Sequence, residues 1–92
     1  NTSYAYIGKG LTEKSADSLP LAFEKPWLVP NQNAKELKIN VAFCDGSVKT
    51  QAMQNVKTCV DVVKQLTAEM PDSPDKQTVL RNAAAEDAAR SK

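Results

Sequence analysis

Ninety-two residues, 41% apolar and 25% charged, are enough for one small domain with one core, and a chain of this size buries only about 60–65% of the surface its unfolded form exposes. Twelve Lys and Arg against eleven Asp and Glu leave a net charge of +1, without the basic excess that phosphate binding needs, so no nucleic-acid partner is expected. Histidine is absent, which removes the commonest general base and the commonest metal ligand, so neither an enzyme, a cofactor nor a metal site is expected.

The first element expected is a strand over residues 3–7, where Ser-Tyr-Ala-Tyr-Ile is aromatic and β-branched and Gly8 and Gly10 close the run; Tyr4 and Tyr6 share one of its faces. Residues 11–19 are polar, and Thr12-Glu13-Lys14-Ser15 fits either a short helical turn or a loop. A second strand is expected over 19–25, with Leu21 and Phe23 on one face. Its flanking Pro20 and Pro26 cannot donate to a ladder, which places it at a sheet edge. Residues 27–38 form the long loop, through Pro30 and Asn31-Gln32-Asn33, with Trp27 and Leu28 tucked under the sheet.

Residues 39–53 carry the strongest local signal. Asp45-Gly46 lies between two β-favouring runs, and a two-residue type I′ turn needs positive φ at both central positions, which this pair tolerates. The expected register sets Cys44 against Ser47, Phe43 against Val48, Val41 against Thr50 and Ile39 against Ala52, so that Ile39, Val41, Phe43 and Val48 share a face.

Thr58 reads as the N-cap of a helix over 59–70, with Asp61 at the third helical position and Pro71 as the stop. Cys59, Val62, Val63, Leu66 and Met70 form its apolar face. A second helix opens at Ser73-Pro74-Asp75, with Ser as cap and Pro at the first position. Val79 and Leu80 can dock, but the alanine-rich remainder offers little to bury. The expected fold is therefore α+β: a small antiparallel sheet of about four strands, one packed helix and a weakly docked C-terminal helix. The expected domain organisation is a head over 1–72 and a helical extension over 73–92.

Few residues point to chemistry. Cys44 and Cys59 are the only cysteines; they form either a disulfide, worth about 3 kcal/mol in the chain-entropy model, or two buried free thiols. A zinc site would need at least two more good ligands. Asp45-Gly46 lacks the regularly spaced oxygens of a calcium loop and reads as turn chemistry. Gly8-Lys9-Gly10 lacks the Gly-Lys-Ser/Thr end of a phosphate loop. Candidate interaction residues are Trp27, Leu28 and Lys35 in the long loop, with residues 11–19 as a second exposed segment.

Three blocks, Ser3-Tyr4-Ala5-Tyr6, then 20–26 (Pro-Leu-Ala-Phe-Glu-Lys-Pro), then 40–48 (Asn-Val-Ala-Phe-Cys-Asp-Gly-Ser-Val), resemble the C-terminal domain of bacterial prepilin-like (pseudopilin) proteins. That family carries a histidine, nine residues and then Asp-Gly. Here Lys35 stands at the histidine position and Ser47 replaces a second histidine, so only Asp45 and Gly46 match the motif. The resemblance covers residues 3–48. It implies an exported structural subunit of type II secretion or type IV pilus-like assemblies, anchored in the cell envelope by an apolar helix upstream of Asn1. Its partners would be other pilin-like or secretion-system subunits, with the membrane met only through that helix. A chain opening Asn-Thr-Ser without Met is expected to be a processed or truncated form. The rival reading is a secreted binding or adhesion module using loops 11–19 and 27–38.

Overall fold

Short runs of β-branched and aromatic residues form four antiparallel strands: β1 (Tyr4–Tyr6), β2 (Pro20–Glu24), β3 (Glu36–Phe43) and β4 (Val48–Gln54). They pair in the order β1-β2-β3-β4, each with its neighbour in sequence. The structure, a computed structural model, describes residues 3–12, 14–15, 17–29 and 35–90. Asn31-Gln32-Asn33 of the long loop, Glu13 of the polar segment and Lys92 lie outside the described residues.

Alternation along β3 buries Leu37, Ile39 and Val41 on one face. Ala5 of β1, Ile7 just beyond it, Phe23 of β2 and Met53 of β4 join them. This α+β architecture of four strands and two helices is the expected one. Three details of the sheet differ from the sequence expectation. β3 begins at Glu36, because Leu37 extends the alternation of Ile39 and Val41, so residues 36–38 are strand and not part of the long loop. β2 is an interior strand between β1 and β3, not an edge. Its prolines are tolerated because Pro20 is the first strand residue, the register shifts between Pro20 and Ala22, and Pro26 lies beyond the strand in a 3-10 turn (Pro26–Leu28).

The hairpin differs by one residue in register. Ala42 faces Val48, Val41 faces Lys49 and Ile39 faces Gln51. The turn is the cause. Gly46 N–H donates to the Phe43 carbonyl at 3.0 Å and Phe43 N–H to the Ser47 carbonyl at 2.9 Å, which closes a three-residue loop over Cys44, Asp45 and Gly46. Gly46 has φ +88°, whereas Asn55 is the one described non-glycine residue with positive φ. This is a type I turn completed by a left-handed glycine, so a type I′ pair is not formed. Because the side-chain period is two, the shift sends Val48 to the outer face, where it is 68% exposed, and brings Lys49 and Gln51 to the face of Val41 and Ile39.

Two helices cover that face: α1 (Cys59–Leu66) and α2 (Pro74–Arg90). Thr58 and Asp61 make the expected capping box, the Thr58 hydroxyl accepting from Asp61 N–H at 3.1 Å and the Asp61 carboxylate accepting from Thr58 N–H at 3.2 Å. α1 stops at Leu66 and does not reach Met70. Thr67 leaves helical geometry at ψ 12°, and its hydroxyl donates back to the Val63 carbonyl at 2.7 Å. Ser73 caps α2 by accepting from Lys76 N–H at 3.1 Å. Val79 and Ala83 of α2 are fully buried.

Candidate interaction surfaces

The two faces of the sheet end up with different characters. One lies under the helices. On the other, the pairings align Tyr6, Ala22, Ala42 and Val48 in a single row across all four strands. The adjacent row is polar and hydrogen-bonded: Asn40 N–H donates to the Glu24 carboxylate at 2.9 Å, and the Thr50 hydroxyl donates to the Asn40 side-chain oxygen at 2.6 Å. Among the described residues the exposed large hydrophobics are Tyr4, Tyr6, Leu28 and Val48, and all but Leu28 belong to this open face. Tyr6 and Val48 stand about 14 Å apart, three strand spacings, with only alanine methyl groups between them. The result is a shallow trough with bulky sides and a small-residue floor.

A second concavity, of about 510 Å³, lies on the helical side at the β4 edge. The polar side chains of Ser47, at the end of the hairpin loop, and of Lys49 and Gln51 of β4 line it on the face that carries Val41 and Ile39. Phe43, Met53 and Leu66 line it together with Asp17, Asp45 and Gln65. The Lys49 ammonium sits 6.0 Å from the centre of the Phe43 ring, at the limit of a cation–π contact. Ser47 donates to the Asp45 carboxylate through its hydroxyl at 2.6 Å and its backbone N–H at 2.8 Å; both bonds, the hydroxyl first, hold that carboxyl below its usual range.

Of the two readings of the cysteines, the disulfide is not formed: both are free, Cys59 buried and Cys44 partly buried. Cys44 opens the hairpin loop, where burial and then the carboxylates of Asp75, Asp17 and Asp45 push its thiol pKa up. Cys59 begins α1, fully buried, and its pKa is pushed up to about 12 by burial and then by Asp87. Asp75 and Asp87 belong to opposite ends of α2, about 18 Å apart along its axis, and each faces a different thiol. A bridge needs Cα atoms within about 7 Å.

Trp27 is half-buried against the core, and the Arg90 guanidinium lies 4.3 Å from its ring centre. Leu28 does not tuck under the sheet; it is 54% exposed, at the end of the 3-10 turn. Lys35 is exposed, and its carbonyl accepts from Asn55 N–H at 2.9 Å. Among the described residues, the two candidate loops reach opposite ends of β3. Residues 17–19 meet the hairpin turn, through Cys44 N–H to the Leu19 carbonyl at 2.9 Å and Asp45 N–H to the Asp17 carbonyl at 3.2 Å. Lys35 sits at the other end of β3, about 23 Å away along the eight-residue strand.

Three polar residues that the sequence did not single out join distant segments. The Asp87 carboxylate caps the start of α1, the Asn82 amide donates to the Ile7 and Lys9 carbonyls at 2.9 and 2.8 Å, and the Gln65 amide pairs with both backbone groups of Gln54. No periodicity marks them, since each reads as an ordinary surface residue of its helix. Among the described residues no cluster of three or more His, Cys, Asp or Glu side chains is placed to hold a metal ion, and no helix is long and apolar enough to cross a membrane. Compared with protein-family models, curated proteins and solved structures, the chain gives no match in any of the three.

Proposed function

We propose that this domain is a non-enzymatic structural subunit of the pilin-like kind, exported to the cell envelope and working through contacts with other pilin-like or secretion-system subunits. The observation that carries the reading is the open sheet face. A four-stranded sheet whose second face bears a row Tyr6-Ala22-Ala42-Val48 leaves apolar area that a soluble monomer gains nothing by exposing. The β1 and β4 backbones that carry Tyr6 and Val48 are about 14 Å apart and the two side chains narrow the trough further, so an α-helix, about 10–12 Å thick with its side chains, rests on both rims. A helix with small residues on its contacting face packs against Tyr6 and Val48 and approaches Ala22 and Ala42 between them.

The sequence blocks 3–6, 20–26 and 40–48 support the same reading from a second direction, because together they supply all four residues of that row: Tyr6 from the first, Ala22 from the second, and Ala42 and Val48 from the third. The turn formed by Asp45 and Gly46 sets the register that puts Val48 there. The occupant of the trough is then an apolar helix, either upstream in the same polypeptide or from an adjacent subunit.

Reading the gene upstream of the Asn1 codon tests the proposal. A basic leader followed by about 20 apolar residues is expected. A start codon immediately before Asn1, or an upstream region with no such stretch, overturns it.

A further inference from the structure

The outer edge of β4 carries a second, independent surface. Phe43 N–H to Ser47 carbonyl and Asn55 N–H to Lys35 carbonyl fix which residues of the strand turn their peptide groups toward β3, namely the odd-numbered ones. The peptide groups of Val48, Thr50, Ala52 and Gln54 therefore point outward. At Gln54 the strand is closed: the Gln65 side-chain oxygen accepts from Gln54 N–H at 3.1 Å, and the Gln65 amide donates to the Gln54 carbonyl. Val48, Thr50 and Ala52 have no such cover among the described residues, and all three are exposed. The protein thus blocks one end of its edge strand and leaves the rest free, which is the arrangement of a strand-addition site with a defined end.

The groove of about 510 Å³ lies beside this edge, on the face of Lys49, Gln51 and Met53. A strand added to β4 sends every second side chain into it. The groove is polarised: Met53 and Leu66 make one end apolar, and toward the hairpin end the two carboxylates of Asp17 and Asp45 outnumber the one cation, Lys49. We propose that β4 binds an extended peptide running antiparallel to it, with an apolar residue against Met53 and Leu66 and a basic residue, further toward its C-terminus, beside Asp17 and Asp45. In the register of fullest overlap a second copy of this chain is a poor occupant. Centring two β4 strands on Thr50 sets the partner's Ser47 at the apolar end and the partner's Met53 at the acidic end, the reverse of what the groove offers.

The test is titration of the isotope-labelled domain with acetyl-Thr-Leu-Thr-Val-Thr-Ser-Thr-Arg-amide, followed by amide NMR. Binding should shift the Val48, Thr50 and Ala52 amides, and replacing the peptide's Arg by Glu should weaken it about tenfold or more. Thr50→Pro removes an outward N–H at an edge position and should abolish binding, while Asp17→Lys should weaken the Arg peptide and favour the Glu peptide. The second variant keeps the test decisive where the first fails to fold. Shifts confined to other surfaces, equal binding of the Arg and Glu peptides, or concentration-dependent shifts of the β4 amides without peptide, which mark a second copy, would each overturn the proposal. The edge is read through the peptide groups of β4 and the Asp17→Lys response, and the open face through the Val48 side chain, so failure of one reading leaves the other in place.

Discussion

The carboxylate of Asp87 accepts hydrogen bonds from Cys59 N–H at 2.8 Å and from Val60 N–H at 3.1 Å, so a side chain near the end of α2 caps the start of α1. With Thr58 serving Asp61 N–H and the Thr58 carbonyl serving Val62 N–H, the first four N–H groups of α1 all have partners. Asp87→Ala leaves two of them without a side-chain acceptor and should cost about 1–2 kcal/mol. Urea unfolding should show a lower midpoint at unchanged slope, and Asp87→Asn should retain part of the loss.

Two more contacts hold the same end of α2: Lys25 pairs with Glu86 at 3.8 Å, and Arg90 stacks over Trp27. Val79 and Ala83 supply the apolar part of the docking. A chain ending at Asp72 loses all of these and uncovers Cys59 and part of the core, so it should lose cooperative unfolding and sharp amide NMR signals. A well-dispersed spectrum from residues 1–72 would show that α2 is only an appendage.

The thiols give a redox-independent check. Two free thiols should titrate in denaturant without reductant, and in the native state Cys44, half-exposed, should react before Cys59, which is buried beside Asp87. The Cys59 pKa is raised in the folded protein, from 9.0 to about 12. Its contribution to stability is therefore complete below pH 9 and is lost as pH rises from about 9 to about 12, because the unfolded thiol ionises first. The stability difference between wild type and Cys59→Ala should shrink across that window.

Two glycines are required for different reasons. Gly46 has open space around it but φ +88°, so Gly46→Ala should cost about 1 kcal/mol and Gly46→Asn less. Gly8 has no such φ, but a Cβ there would lie 2.6 Å from a Leu21 methyl and 3.2 Å from the Tyr6 hydroxyl. Gly8→Ala must rotate the Leu21 methyl aside and shift the Tyr6 ring by a few tenths of an ångström, so it should lower the thermal midpoint only slightly, less than Gly8→Val.

The elements were legible where the signal is local. Thr58 with Asp61 gives a capping box, Ser73-Pro74 a helix start, and the alternation of Ile39 and Val41 a half-buried strand, although that strand begins at Glu36, inside the stretch read as loop. What was not legible depends on a single dihedral or on distant partners. Asp45-Gly46 is compatible with two turns that differ by one residue in register, and only one sends Val48 outward and Lys49 into the groove. Pro20 and Pro26 suggest an edge, yet an interior strand accommodates them through a register shift and an early end. The roles of Asp87, Asn82 and Gln65 follow from where α1 and α2 dock, which no window of sequence contains.

The most direct test of the open-face reading is site-specific photocrosslinking in the native host, with benzoylphenylalanine placed at Val48, at Lys14 or at Leu28. The expected result is a light-dependent crosslink from Val48 to an apolar helix of a pilin-like subunit, in the same or an adjacent chain, with little product from the two loop positions. Crosslinks from Lys14 or Leu28 to a partner, with Val48 silent, would contradict it and favour a binding module that works through its loops.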